Sequence, residues 1–293
     1  YYCVLAGDHG AAFTVADNGY MGFVAATLFD FTAPRHVSKS VMVPFPMGSF
    51  KMPASTKEGD VTFVKKGLSL EFLRRPGKRV IRVDWKDFRK KTPLAGEIVL
   101  AQPDGIDSMV IATPFPGAPR AFYYNQKINC LAAEGALDFG VERRSFSPAK
   151  DFGVLDWGRG VWTYSNTWYW GSGSGLAGGA PFGFNIGYGF GDTAAATENM
   201  LFYRGKAHRL EHVTFHIPED SFMKPWKFSS SDGRFEMDFV PVLDRSQYDN
   251  VLLIKSDQHQ VFGRFTGRAV LDDGTALDIK DFLGFAEKVI NRW

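Results

Sequence analysis

The chain has 293 residues, 45% hydrophobic and 23% charged, the composition of a folded globular protein rather than a disordered or fibrous one. Its 34 basic and 32 acidic side chains leave a net charge of +2, which offers no basic field to a phosphate backbone and excludes nucleic acid as an expected partner. Cys3 and Cys130 are too few for a disulfide framework and sit in no zinc spacing, and no apolar run approaches the roughly 20 residues that span a bilayer. With neither disulfides nor a transmembrane segment, a cytoplasmic location is the expectation.

Short runs of β-like composition recur from the start. "YMGFVAATLFDF" (20–31), "DVTFVKK" (60–66), "LSLEFL" (68–73), "RVIRVDW" (79–85), "GEIVLA" (96–101) and "SMVIATPF" (108–115) read as strands. Leu68, Leu70 and Phe72 share one face, and Ser69 and Glu71 the other. "RRPGKR" (74–79), "PDG" (103–105) and "PFPGAPR" (114–120) punctuate them as turns. The second half continues with "GFNIGYGFG" (183–191), "NMLFYRG" (199–205), "HRLEHVTFHI" (208–217), "GRFEMDFVPV" (233–242), "NVLLIKS" (250–256) and "QVFGRFTGRAVL" (260–271). "SSDGR" (230–234) and "LDDGT" (271–275) read as hairpin turns. One segment departs from the pattern. "DFLGFAEKVINRW" (281–293) spaces Phe282, Phe285, Ala286, Val289, Ile290 and Trp293 as on a helix, with Asp281 as cap, and predicts a helix over 281–292.

Strands without interleaved helices argue for antiparallel closure, which removes sheet edges. Twenty-seven Phe and 31 Gly agree with an all-β chain. A faint echo, "VTF" at 61–63 and again at 213–215, suggests two similar units. The expected fold is therefore all-β, two lipocalin-like antiparallel β-barrels packed together with a C-terminal helix. The units are an N-terminal domain over 1–150 and a C-terminal domain over 151–293.

"FYYNQKIN" (122–129), "DWGRGVW" (156–162), "WYW" (168–170), "GFNIGYG" (183–189), "TEN" (197–199), "SSDGRFEMDFVPVLDR" (230–245), "SDQHQVFGRFTG" (256–267) and "GFAEKVINRW" (284–293) follow one another in an order that resembles the uncharacterised family known as domain of unknown function 2804. That family is in turn distantly similar to double-lipocalin proteins, among them carotenoid 1,2-hydratases, tocopherol cyclases and Diels–Alder cyclases. The resemblance implies a two-barrel fold and transfers no catalytic residue.

The candidate site residues lie in these same motifs. Four of the seven tryptophans crowd into 157–170, beside Asp156, Arg159 and Tyr164. On a strand, Trp168 and Trp170 share a face and form either core packing or a flat ligand wall with N–H donors. Asp156 and Arg159 read as a structural ion pair, or as an acid of raised pKa with a guanidinium to orient a ligand oxygen. Glu198 and Asn199 in "TEN", with Asn185 in "GFN", supply an acid and two amides, to hold a substrate or to close a barrel. In "SDQHQ", Asp257 and His259 share a strand face, an arrangement that orients an imidazole. Lys127 beside Tyr123 and Tyr124 is either a buried cation or snorkels to the surface. His208, His212 and His216 stand at steps of four, but on a strand they are too spread for a metal. No metal and no cofactor is expected, and no Gly-rich dinucleotide motif or nucleophile signature occurs.

These residues support a cofactor-independent acid/base enzyme of hydratase, isomerase, cyclase or lyase type, acting on a small hydrophobic or polyunsaturated molecule held in a barrel. Asp156, Glu198 and His259 are its catalytic candidates. Arg159, Tyr164, Trp168, Trp170, Asn185 and Asn199 are its ligand-binding candidates. A non-catalytic carrier of a lipid-like molecule, and a carbohydrate hydrolase using Asp156 and Glu198, are the alternatives.

Overall fold

A computed structural model describes residues 1–251 and 254–292. The described residues form strands and turns without a helix. The strands are β1 (Tyr2–Leu5), β2 (His9–Asp17), β3 (Met21–Asp30), β4 (Arg35–Pro44), β5 (Val61–Lys65), β6 (Leu68–Arg75), β7 (Lys78–Arg89), β8 (Thr92–Ala101), β9 (Met109–Phe115), β10 (Ala118–Phe139), β11 (Glu142–Phe146) and β12 (Phe152–Val161). They continue with β13 (Ser165–Ala177), β14 (Ala180–Tyr188), β15 (Met200–Tyr203), β16 (Lys206–Arg209), β17 (Val213–His216), β18 (Trp226–Ser230), β19 (Phe235–Val251), β20 (Ile254–Val270) and β21 (Ala276–Arg292). Of the expected strand at 250–256, residues 252 and 253 lie outside the described residues, as does Trp293.

The chain divides into two compact units: residues 1–106 with 131–155, and residues 107–130 with 156–293. β10 and β12 therefore each contribute to both. The first unit follows the order β4-β3-β2-β1-β12-β10-β8-β7-β6-β5, with β11 also on β10. Its strands pair antiparallel, and alternation sets their faces: Leu68, Leu70 and Phe72 of β6 are buried as expected. Arg75 and Lys78 pair across the Pro76-Gly77 turn, and Phe115 and Ala118 across Pro116-Gly117.

The second unit contains the nine-stranded sheet β16-β15-β14-β13-β21-β20-β19-β18-β17, together with β9 and the adjoining parts of β10 and β12. One face of the nine-stranded sheet curls around a core made largely of phenylalanine: Phe182, Phe184, Phe215, Phe228, Phe235, Phe239, Phe265 and Phe282, with Trp226. Edge-to-face and tilted ring contacts at 4.5–5.3 Å, such as Phe239–Phe265 and Phe184–Phe265, fill it. The opposite face carries Trp168, Trp170, Gln260 and Glu287.

The expected helix over 281–292 is a strand, β21, lying between β13 and β20. Two features imitate helical spacing. A central strand covered on both faces reads as nearly continuous apolar sequence. A bulge at Asp281, whose φ is 49°, then puts Ile279 and Phe282 into the same core three residues apart. Opposite the bulge, Gly267 takes φ 159°, and a Cβ there would lie 2.1 Å from the Glu236 carbonyl oxygen. No helix among the described residues is long and apolar enough to cross a membrane.

Candidate functional site

The site is built on the polar face of the nine-stranded sheet, where β10 and β12 of the same unit lie against it. Tyr123, Asn125, Lys127 and Asn129 alternate along β10 and share one face; Asn125, Lys127 and Asn129 are buried. Burying a lysine requires a counter-charge, and Asp156 on β12 supplies it: Lys127 Nζ lies 2.8 Å from Asp156 Oδ2. The ammonium also sits 3.7 Å from the centre of the Trp170 ring, against its negative face. Asn125 donates to the other oxygen, Asp156 Oδ1, at 2.8 Å. Burial pushes the Asp156 carboxyl up, but Lys127 and Asn125 outweigh it and hold the group below its ordinary value. Asp156 is therefore an anion at neutral pH.

Two other carboxyls move the opposite way. Trp170 Nε1 donates to Asn185 Oδ1 at 2.7 Å, and Asn185 Nδ2 donates to the Glu198 carbonyl at 2.8 Å and to Glu198 Oε2 at 3.3 Å. The Glu198 carboxyl rests on Gly187, where a Cβ would lie 2.8 Å from Oε1. Burial raises the Glu198 pKa, and Asp156 adds to the rise, against the opposing pull of Lys127 and Asn185. On β21, Glu287 accepts from Trp168 Nε1 at 2.9 Å and from Gln260 Nε2 at 3.0 Å. Gln260 is oriented in turn by Arg245, whose Nη1 donates to its Oε1 at 3.1 Å. Burial pushes Glu287 up to about 7. Tyr123 completes the group. Burial, together with the charges of Asp156, Glu198 and Glu287, keeps its phenol protonated as an O–H donor.

An aromatic wall adjoins these acids. Phe190, in the loop after β14, meets Tyr123 at 4.8 Å, Trp168 at 5.2 Å and Trp162 at 5.6 Å between ring centres. The same loop borders an open pocket of about 670 Å³ lined in part by Tyr188, Asp192, Thr193, Asn199 and His212.

Of the residues singled out in the sequence, Asp156, Glu198, Trp168, Trp170 and Asn185 thus come together. Asn199 lies beside them, accepting from the Gly187 N–H at 2.7 Å and donating to the Glu211 carbonyl at 2.9 Å. Arg159 is exposed, because Gly158 and Gly160 let Tyr123 and the β10 backbone close over β12 and turn Arg159 outward. The cation paired with Asp156 is Lys127, not Arg159. Tyr164 is 53% exposed, in the turn between β12 and β13. His259 neighbours Gln260 on β20 and so points from the other face of the strand. It meets Asp244 at 2.7 Å, while Asp257 stands 3.7 Å away, and its ring stacks on Phe222 at 3.8 Å. His208 pairs with Asp272, and His216 bonds Ser229.

Sequence reasoning missed Glu287, Gln260 and Asn125. The alternating stripe Tyr123, Asn125, Lys127, Asn129 was a readable signal, since four polar or polar-tipped residues on one strand face either meet water or meet each other. Glu287 was hidden by the helical reading of its segment.

The family described as "Domain of unknown function (DUF2804)" matches residues 1–293. Among solved structures, kievitone hydratase from Nectria haematococca aligns with a TM-score of 0.53 and 11% identity over 99% of this chain and 87% of its own. A Nitrosomonas europaea protein with a provisional AttH assignment aligns with a TM-score of 0.55 and 14% identity over 98% of this chain and 89% of its own. Both are lipocalin-like double-barrel proteins, and at these identities the likeness shows the fold. No curated protein matches the sequence.

Proposed function

From the premise that the chain belongs to the family of domain of unknown function 2804, we propose that it is a cofactor-independent acid/base enzyme of the hydratase or lyase type, acting on a small, largely apolar molecule. The observation that carries this reading is the split of the carboxyls around one lysine: Asp156 held as an anion, Glu198 and Glu287 pushed toward the neutral acid. Carboxyls with opposed environments are the usual arrangement for running acid and base chemistry at one pH. The fold shared with a hydratase supports the same class.

Glu198 is the proton donor in this reading. The residue is half-buried, and among the described residues Asn185 is the side chain that bonds its carboxyl. The proton passes from Glu198 to one carbon of a double bond. The aromatic wall faces the positive charge that develops on the other carbon. Water adds there and gives its proton to the Glu198 carboxylate, so hydration consumes one water and regenerates the acid, while Asp156, both of whose oxygens are engaged by Lys127 and Asn125, stays ionised and steadies the positive charge. Elimination of water is the same path reversed. Glu287, with both oxygens occupied, keeps Trp168 in place. Arg159, Tyr164 and His259 have no part in this step.

The test is a screen of small unsaturated or hydroxylated apolar molecules, read as gain or loss of one water by mass. Glu198→Gln is expected to lower turnover about 100-fold or more while the melting temperature holds. A variant as active as the wild type overturns the assignment. A protein that retains a bound ligand without converting it, with or without Glu198, is the carrier of the alternative reading.

A further inference from the structure

The first unit carries a feature that the acid cluster does not use. Five large apolar side chains gather where β3 and β4 meet the loop leading to β5. Met47 is 74% exposed, Phe45 73%, Met42 66%, Tyr20 38% and Met52 36%. Ordinary surfaces scatter such residues singly, and a gathered set marks an interaction site. The backbone is built to present them. Phe45 N–H donates to the Tyr20 carbonyl at 2.9 Å and Met47 N–H to the Gly19 carbonyl at 3.0 Å. Tight turns follow, Ser49 to Pro46 and Lys51 to Gly48. Phe45, Met47 and Lys51 all take φ 49°, a conformation unfavourable for side chains of this size. Strain of this kind persists only where the surroundings impose it, and here it turns apolar side chains into solvent. The loop is anchored rather than floppy: Phe50 packs on Phe63 at 5.3 Å, and its ring fills the space a Cβ on Gly22 would need.

Charge identifies the partner. Between Asp30 and Glu58 there is no acidic residue, while Arg35, Lys39, Lys51 and Lys57 are basic; Asp17, at the base of the loop, accepts from the Gly19 and Phe50 N–H groups. Arg35 is paired with Asp30 and Lys39 with Asp87, which leaves Lys51 and Lys57, both exposed, as the cations of the loop. We infer that this loop docks the protein on an anionic lipid surface, with Phe45 and Met47 entering the acyl boundary and Lys51 and Lys57 at the headgroups. A projecting turn with apolar tips and flanking lysines needs no shape-matched protein groove, because a fluid bilayer conforms to it. The inference does not depend on the proposed catalysis.

Co-sedimentation with vesicles of phosphatidylcholine alone, and of equal parts phosphatidylcholine and phosphatidylserine, tests it. The intact chain is expected to pellet with the anionic vesicles, and more weakly as salt rises. The pair Phe45→Ser with Met47→Ser is expected to weaken binding about tenfold or more. Lys51→Glu with Lys57→Glu is expected to abolish the preference for anionic vesicles. Circular dichroism and melting of each variant show that the fold is retained. Wild-type protein that stays in the supernatant with both vesicles overturns the inference, and so does a serine variant that binds equally well. A wild-type dimer that the serine variant converts to monomer, without lipid binding, assigns the patch to a second copy of the chain and also overturns it.

Discussion

Glu287 holds its proton to a higher pH than an ordinary glutamate, because its carboxyl is buried between Trp168 and Gln260 and the pull of Lys127 and Arg245 does not offset that burial. The unfolded chain releases that proton near 4.5 and the folded protein near about 7. Through that window the folded state binds more protons, so Glu287 makes stability fall as pH rises, and the loss is complete above about 7. The expected contribution is on the order of 3 kcal/mol. Urea unfolding at a series of pH values should show this slope in the wild type and a flatter one in Glu287→Gln. An identical slope in the variant would place the titration elsewhere. At this scale the sequence was informative where residue type conflicts with surroundings. Asp156, Glu198 and Asn185 stood out as polar groups inside apolar motifs, and Trp168 and Trp170 as neighbours on one face. Their partners were not legible. The pairing of Lys127 with Asp156 joins residues 29 positions apart on different strands. Arg159, nearer in sequence, was the plausible and incorrect partner for Asp156.

Strands are set by alternation and punctuated by turns, and about half of them were readable; β1, β2, β4, β10, β11, β12 and β18 were not among them. Alternation and Pro-Gly turns placed β6, β7 and β9, and Asp-Gly marked the turn before β21. β21 itself was misread because its bulge at Asp281 and its cover on both faces reproduce helical spacing. Gly267, opposite the bulge, lets β20 approach β19 closely. Gly267→Ala would drive a Cβ against the Glu236 carbonyl, with a backbone φ that alanine rarely adopts. It is expected to cost about 3 kcal/mol or more, read as an earlier denaturant midpoint. Gly178→Ala, on an open turn with nothing within 4 Å, is the control and should cost about 1 kcal/mol. Equal losses at the two positions would show that the close approach at Gly267 imposes no special demand.

For the whole molecule, the consequential feature is that the chain enters the second unit at 107, leaves it at 130 and returns at 156. Cutting the chain near 150 therefore separates groups that need each other. A fragment of residues 151–293 has Asp156 but lacks Lys127 and Asn125, which takes from a half-buried carboxylate its lysine and its amide donor. A fragment of residues 1–150 lacks Phe152–Leu155, the partner strand of β1. Each fragment alone is expected to show no cooperative melt and poor amide dispersion, and mixing the two is expected to restore both. A sharp melt from residues 151–293 alone would show that the excursion through 107–130 is dispensable.

By itself the sequence determined the all-β class, the family and about half of the strand positions, because these follow from local alternation, turn chemistry and composition, which every residue carries wherever the chain goes. It also marked several polar residues as costly to bury. Only the tertiary structure decided which of them meet. One strand crossing places Lys127 among three carboxyls, one bulge makes a strand of an apparent helix, and one alternation step turns His259 away while turning Gln260 in. These outcomes depend on register and on long-range burial, and charge state follows from burial and partner together, so no local pattern encodes them.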